Sequence, residues 1–167
     1  YMSNPIVLAL FNATKSGDID LVTQILDAEP ALLNEVTPFG TWLHIASAHG
    51  HTHLISYFLE KGLDINAQGG TFKSGALNVA ASKGQLNSTK LLIESGAKFE
   101  IDDPVQNSLF GAVMSGNLDI VKLLISFNFP ADIKYTGESM KNMGAYEFAV
   151  EQGQAEIAQF LNQVLNA

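Results

Sequence analysis

Small and bulky apolar residues recur along the chain at fixed distances from a set of regularly spaced glycines. The glycines are Gly17, Gly50, Gly84, Gly116 and Gly153, which lie 33, 34, 32 and 37 residues apart. A bulky residue stands seven positions before each glycine: Leu10, Leu43, Leu77, Leu109 and Tyr146. An alanine stands four positions before each glycine: Ala13, Ala46, Ala80, Ala112 and Ala149. A period of this length predicts a stack of repeats, each one supersecondary unit.

The same offsets predict two short helices in each repeat, with the glycine in the turn between them. The bulky residue and the alanine share one face of the first helix. Apolar positions four, five and eight residues after the glycine form a face of the second helix, with Ser88 as the exception at the fourth position. The turn glycine can adopt a positive φ at little cost, and Gly62, Gly96 and Asn128 are placed to end the second helix in the middle three repeats.

Between residues 41 and 67 the sequence resembles the ankyrin repeat family. The matching segments are Thr41-Trp42-Leu43-His44-Ile45-Ala46, Gly50-His51 and Leu63-Asp64-Ile65-Asn66-Ala67, with Trp42 where the family usually has proline. The resemblance implies an all-α ankyrin repeat solenoid forming a single domain over residues 1–167. It implies five repeats at about 5–35, 39–69, 73–104, 105–137 and 142–167, with atypical first and last units. It also implies that His44 and His51 tie neighbouring turns together through hydrogen bonds.

Length and composition agree with one domain and a substantial core. The chain has 167 residues, 47% of them hydrophobic, and no apolar run of the length that a membrane span requires. From Met2 onward, no basic segment leads into a short apolar stretch, so we expect no signal peptide in this sequence and a cytoplasmic location. The absence of cysteine argues against thiolate catalysis, cysteine-based zinc sites and disulfides.

The charge balance limits the partners that the chain can attract. The formal net charge is −8, and all nine basic residues are lysine. A nucleic-acid or anionic-membrane binder needs a positive field and commonly uses arginine, so neither partner is expected. The acidity favours a basic protein partner, with plain solubility as the alternative explanation.

Two groups of polar residues have side chains that could carry chemistry. His49, His51 and His53 alternate, but they lack the spacing of a ligand pair on one helix face and have no cysteine beside them, so no metal site is predicted. Asp102 and Asp103 resemble an acid and base pair, yet no nucleophile motif or phosphate-binding loop accompanies them. We therefore predict a chain that is not an enzyme and binds no cofactor.

The candidate binding residues lie just before the turn glycines and in the loops between repeats. The family resemblance places variable contact positions before each glycine, and aromatic residues at loop tips can anchor a partner. For Phe39, Phe72 and Trp42, the alternative is that they hold neighbouring loops together. The full predicted set is Glu35, Phe39, Trp42, His49, Phe72, Lys83, Asp102, Asp103, Met114, Tyr135, Glu138, Lys141 and Glu151.

The loop before the fifth repeat is the longest of the four and breaks the period. It runs from Lys134 to Met143, is mostly polar, and resembles a segment found in bacterial ankyrin proteins. Insertions in repeat proteins commonly extend one loop face, so Tyr135, Glu138 and Lys141 are predicted to set specificity without contributing to stability.

These observations predict a non-catalytic protein-binding module. By resemblance to small acidic bacterial ankyrin proteins, we expect an immunity protein that neutralises a cognate basic toxin. The alternative is a secreted effector or a regulatory adaptor that binds a host or cytoplasmic protein. The sequence leaves the identity of the partner, the binding face and the oligomeric state open.

Overall fold

The computed structural model describes residues 3–167. Over this range the chain forms ten α-helices, a short 3-10 helix over Pro30–Asn34 and one antiparallel hairpin. The helices are α1 (Pro5–Ser16), α2 (Ile19–Ala28), α3 (Trp42–Ala48), α4 (Thr52–Glu60), α5 (Ala76–Ser82), α6 (Leu86–Glu94), α7 (Ser108–Met114), α8 (Leu118–Ser126), α9 (Ala145–Glu151) and α10 (Ala155–Leu165). The hairpin strands are β1 (Tyr135–Gly137) and β2 (Met140–Met143). In this described part of the chain, no helix has both the length and the apolar character needed to cross a membrane.

The helices form five pairs that stack in two layers. The first helices pack in sequence from α1 through α3, α5 and α7 to α9, and the second helices pack from α4 through α6 and α8 to α10. The alanines predicted on the first helices are buried, and the four from Ala46 onward have no exposed surface. Their small size lets successive first helices approach closely, as the all-α solenoid prediction requires.

The apolar core is continuous from one end of the stack to the other. One cluster of buried residues extends from Val7 to Leu92, and a second extends from Ala81 to Leu161. Ile93 and Phe99 pack against both clusters, which joins them. Burial of apolar surface, the dominant favourable term in folding, therefore acts along the whole stack.

The predicted turns and helix ends are confirmed. All five turn glycines have φ between 67° and 80°, and the residues that end the middle second helices also have positive φ, including 62° at Asn128. A second constraint acts at the turns. A Cβ added to Gly17 would lie 2.6 Å from Nδ1 of His51, and one added to Gly50 would lie 2.5 Å from Oε1 of Gln85. The glycine therefore provides space for a side chain of the next repeat as well as an unusual backbone angle.

That side chain belongs to the residue after the next turn glycine, and it forms a hydrogen bond between repeats. His51 Nε2 lies 2.7 Å from the carbonyl oxygen of Lys15, which confirms the predicted linking role of His51. Gln85 Nε2 donates to the carbonyl oxygen of Ala48 at 3.0 Å. Asn117 Nδ2 lies 3.4 Å from the carbonyl oxygen of Gly84. Three successive interfaces therefore share one polar contact on top of their apolar packing.

His44 forms a second kind of link, and its prediction is also confirmed. Its Nδ1 accepts the backbone N–H of Thr41 at 3.1 Å, and its Nε2 lies 2.8 Å from the carbonyl oxygen of Ser74. Since a backbone N–H only donates and a carbonyl only accepts, the ring must be neutral with its proton on Nε2. Burial is the main influence on the pKa of His44 and lowers it, against smaller upward effects from Ser74 and the carboxylate of Glu100.

The β1–β2 hairpin departs from the purely helical repeat pattern and lies where the longest loop was predicted. Tyr135 pairs with Met143, and Gly137 pairs with Met140. At its base, the carboxylate of Glu147 accepts the backbone N–H of Gly144 at 3.0 Å and lies 2.6 Å from Nζ of Lys134. The hydrogen bond from Lys134 is the main cause that lowers the pKa of Glu147.

The buried neutral state of His44 predicts a loss of stability in mild acid. In the unfolded chain the pKa of a histidine is about 6.5, so above this pH the ring of His44 is neutral in both the folded and the unfolded state. As the pH falls from there toward the lower pKa of the folded state, the unfolded chain binds more protons, and the free energy of unfolding drops by at most about 1.4 kcal/mol per pH unit for this one group. Urea unfolding at pH values from about 7.5 to about 5 measures this slope.

The control for this measurement is His53, whose imidazole lies at the surface with Nε2 2.9 Å from the carbonyl oxygen of Gly17. We expect the His44→Gln variant to be less stable and to have a shallower pH slope. The His53→Gln variant, which loses an imidazole at the surface, is the comparison for that slope. An equal slope in His44→Gln and the unaltered chain would contradict the assignment.

Candidate functional site

A groove runs between the first helices and the loops that precede them, which we call the fingers. The first three fingers span residues 35–41, 68–75 and 101–107, and the β1–β2 hairpin is the fourth. Two adjoining cavities of about 630 and 310 Å³ make up the groove. Phe72, Ser74, Val79 and Lys83 line both cavities, so the groove is continuous across the second and third repeats.

The groove is rich in exposed apolar side chains. Phe39 and Phe72 project from the first two fingers with 58% and 56% of their surface exposed, and Met114 is 58% exposed at the end of α7. The ring of Phe39 lies 5.6 Å from that of Phe11 on α1, so part of its apolar surface is already covered within the chain. Large side chains left this open on a concave surface are characteristic of a place where another molecule binds.

Five of the predicted binding residues line this groove. They are Phe39, His49, Phe72, Lys83 and Met114. The first and second fingers bring two aromatic rings to one side, and the ends of α3, α5 and α7 bring the other three side chains to the opposite side. The structure thus collects residues that are far apart in sequence, and their contact with a partner stays a prediction.

Trp42 corrects the prediction that it binds a partner. Its side chain has no exposed surface, and its Nε1–H donates a hydrogen bond of 2.8 Å to the carbonyl oxygen of Leu32. A buried indole with its single donor satisfied is part of the core. Of the two interpretations given for this residue, the one in which it holds neighbouring segments together is correct.

Tyr135 makes contacts within the chain that the prediction for the hairpin did not include. Its half-buried hydroxyl donates to the carbonyl oxygen of Ile101 at 2.6 Å and accepts from Nδ2 of Asn107 at 2.9 Å. Its ring lies edge-on to Phe110, with centroids 5.3 Å apart. Burial raises the pKa of the Tyr135 hydroxyl, in keeping with its role as a protonated donor. Tyr135 therefore fastens the hairpin to the third finger.

The other predicted binding residues lie outside the two cavities. Asp102 lines a separate cavity beneath the third finger, and the carboxylate of Asp103 accepts the backbone N–H of Val105 at 2.9 Å. Glu35 is half-buried at the end of the 3-10 helix. The remaining three are exposed, two on the hairpin and one at the end of α9: Glu138, Lys141 and Glu151.

Sequence reasoning missed one set of groove residues. Ile45, Val79, Gly111 and Phe148 line the groove from four successive first helices, and each stands five positions before its turn glycine. The groove positions at the ends of the first helices were found by counting back one or two residues from a turn glycine, and counting back five residues would have found these. Val105 of the third finger and Met140 of the hairpin complete the apolar lining of the smaller cavity.

The environment of the groove changes the pKa of His49. Partial burial is the largest influence and lowers this pKa, and the positive charges of Lys15 and Lys83 lower it further. The neighbouring His51 and His53 each place a ring nitrogen against a carbonyl oxygen of the preceding repeat. Within residues 3–167, no three histidine or acidic side chains form a group able to hold a metal ion.

The fold and this groove define a helical repeat protein of the protein-binding type, and comparison with known proteins gives the family. A family model described as ankyrin repeats (3 copies) matches residues 10–103 and again residues 77–165. The chain belongs to the ankyrin repeat family. This family is in general a non-catalytic module for binding other proteins.

Curated relatives carry similar repeats within longer chains. The chain is 26% identical over 151 residues to a transient receptor potential cation channel subfamily A member 1 homolog of Caenorhabditis elegans, covering 90% of this chain and 12% of the relative. It is 30% identical over 129 residues to the ankyrin repeat and KH domain-containing protein mask-1 of the same organism, covering 74% and 5%. It is 31% identical over 97 residues to the E3 ubiquitin-protein ligase XB3 of Oryza sativa subsp. japonica, covering 57% and 21%. The chain thus spans at most about a fifth of the length of these three relatives.

The hydroxyl contacts of Tyr135 predict a structural role that can be separated from binding. Tyr135→Phe removes both hydrogen bonds and leaves the Ile101 carbonyl without this donor, so the free energy of unfolding should fall by about 1–3 kcal/mol. Glu138→Ala and Lys141→Ala, on the same hairpin, should change it by less than about 0.5 kcal/mol. Urea unfolding followed by circular dichroism checks all three variants. An unchanged midpoint for Tyr135→Phe would show that the fastening contact contributes nothing.

Proposed function

We propose that this chain is a non-catalytic protein-binding module that holds one protein partner in the groove between the fingers and the first helices. The observation that carries the proposal is the convergence of Phe72, Val105 and Met114, each about half exposed, around a continuous concave surface. Aromatic and methionine side chains in such pockets commonly supply most of the binding energy of an interface.

The relatives support this function in its general form. The three relatives have different names: the E3 ubiquitin-protein ligase XB3, the channel homolog and mask-1. This chain matches only a minor part of each of them. What they share with this chain is the repeat region. A shared repeat region in proteins with such different names fits a common role in recognition better than a common reaction.

Loss of the exposed apolar side chains should remove binding without unfolding the chain. We expect Phe72→Ala with Met114→Ala to weaken partner binding at least about tenfold, because each residue is an exposed anchor in the groove. The partner is first captured by affinity pull-down with mass spectrometry from the native organism, and its affinity is then measured by calorimetry.

The matched control changes two exposed leucines on second helices, Leu21→Ala and Leu86→Ala, which are 37% exposed each. This pair should bind like the unaltered chain. Thermal unfolding of both double variants reports whether either has lost its fold. Equal binding by the groove variant and the control would refute the groove as the binding surface.

A second candidate function, an immunity protein for a basic toxin, is favoured by the net charge of −8. Exposed carboxylates lie on and beside α2, away from the groove lining: Asp18, Asp20, Asp27 and Glu29. In this candidate the chain is bacterial and acts in the cytoplasm, and these residues attract the partner at long range. A toxin gene next to its own gene would favour it, whereas a secretion signal would favour the effector alternative.

Electrostatic attraction of a basic partner predicts a salt-dependent association rate. Raising the salt from about 50 mM to about 500 mM shortens the screening length several-fold, so association should slow about tenfold or more while dissociation changes less. Stopped-flow or surface-plasmon-resonance measurements with the captured partner test this. An association rate that does not change with salt would exclude the acidic surface from recognition.

A further inference from the structure

The groove carries the opposite charge to the rest of the protein. The chain has 17 acidic residues, all within the part that the structure describes, and none of them lines either cavity of the groove. The charged side chains that do line it are Lys15 and Lys83. The carboxylates of this chain of net charge −8 therefore lie outside the lining of the groove.

The cationic groups of the groove are Lys15 and Lys83, and His49 in the repeat between them completes a basic row with one member in each of the first three repeats. Lys15 stands two positions before its turn glycine, and His49 and Lys83 stand one position before theirs. All three side chains line the larger cavity of the groove. The two lysine charges attract an anionic group placed between them, and the imidazole of His49 offers a ring nitrogen that can donate a hydrogen bond to it.

An apolar row faces the cationic one. Phe39 and Phe72 stand at the finger side of the larger cavity, and Ile45 and Val79 line it from the first helices. The two rows run along the stack in parallel. An extended peptide matches two such rows, because its successive side chains point to opposite sides.

We propose that the groove binds an extended segment of a partner protein in which acidic residues alternate with aromatic or large aliphatic residues. The carboxylates lie against Lys15 and Lys83, and the apolar side chains pack on Phe39 and Phe72. This inference rests on the proposed function and names the chemistry of the segment that enters the groove. A basic segment would meet like charges at the same positions, which disfavours it.

A single-stranded nucleic acid also combines negative charge with flat apolar surfaces, and it is the main competing occupant. The protein segment is favoured because the chain has no arginine and its net charge of −8 repels a polyanion outside the groove. The acidity of the partner must therefore be local, confined to the stretch that enters the groove.

The test uses the full chain and a displayed random peptide library of about 12 residues, long enough to span the cationic row when extended. Selection is carried out on the unaltered chain. The enriched peptides are then measured by fluorescence anisotropy against Lys15→Glu with Lys83→Glu, and against the control Lys90→Glu with Lys122→Glu. Both variants change the net charge by the same amount, and the control lysines are exposed on α6 and α8.

We expect the enriched peptides to combine Asp or Glu with aromatic or large aliphatic residues. The groove variant should weaken their binding at least about tenfold and the control less than about twofold, with unchanged circular dichroism for both. Lys15→Gln with Lys83→Gln should give an intermediate loss. A fluorescent single-stranded oligonucleotide is measured in parallel, and tighter binding of that probe than of the peptides would overturn the proposal.

The outcomes separate this inference from the proposed function. Basic or uncharged peptides that still lose binding in Phe72→Ala with Met114→Ala would overturn the acidic segment and leave the groove as the binding surface. Equal binding of the peptides to Phe72→Ala with Met114→Ala and to the control Leu21→Ala with Leu86→Ala would count against the groove and the segment alike. The same conclusion would follow if no peptide were enriched relative to a selection on Phe39→Ser with Phe72→Ser.

Discussion

At three of the four interfaces between repeats, the side chain that follows a turn glycine reaches back to a backbone carbonyl of the preceding repeat, and these contacts set how neighbouring repeats are placed. At Gly17 and Gly50, that side chain also occupies the space where a Cβ would stand. Apolar packing alone tolerates small sliding movements, because it has no preferred direction. A hydrogen bond has a preferred length and angle, so it fixes the offset between neighbouring repeats.

The fixed offset is what turns separate loops and helix ends into a groove. Three repeats contribute one residue each to the basic row, Lys15, His49 and Lys83. These residues line up because successive repeats have the same geometry. The fingers are held in the same way, since His44 joins the first finger to the second and Tyr135 joins the hairpin to the third. A surface prepared in this manner loses little conformational entropy when a partner binds.

The sequence predicted much of this fold, because the features involved depend on local spacing. Turn glycines, helix ends and buried alanines follow from counts of a few residues, and the roles of His44 and His51 followed from the family resemblance. The contacts of Trp42 and Tyr135 could not be predicted, because each side chain bonds the backbone carbonyl of a distant residue, Leu32 or Ile101, which has no signature in the sequence.

The charge of the groove could not be predicted for a related reason. The net charge of the chain counts every side chain, whereas the groove is lined by residues from only a few positions of each repeat. The net charge is negative and the charge of the lining is positive. The groove positions five residues before the last four turn glycines follow a regular pattern in the sequence. They were missed because small and apolar residues that line a groove are of the same types as those that fill a core.

The attachment of Tyr135 to the third finger has a consequence for how the stack comes apart. In a simple linear array each repeat contacts only its neighbours, so the last unit can fray independently. Here Tyr135, on the first strand of the hairpin that precedes α9, is hydrogen-bonded to Ile101, which precedes the fourth helix pair, and to Asn107. Opening the fifth pair therefore disturbs two interfaces at once. Amide exchange in α9 and α10 would then follow the opening of α7 and α8, so that the C-terminal half behaves as one cooperative unit.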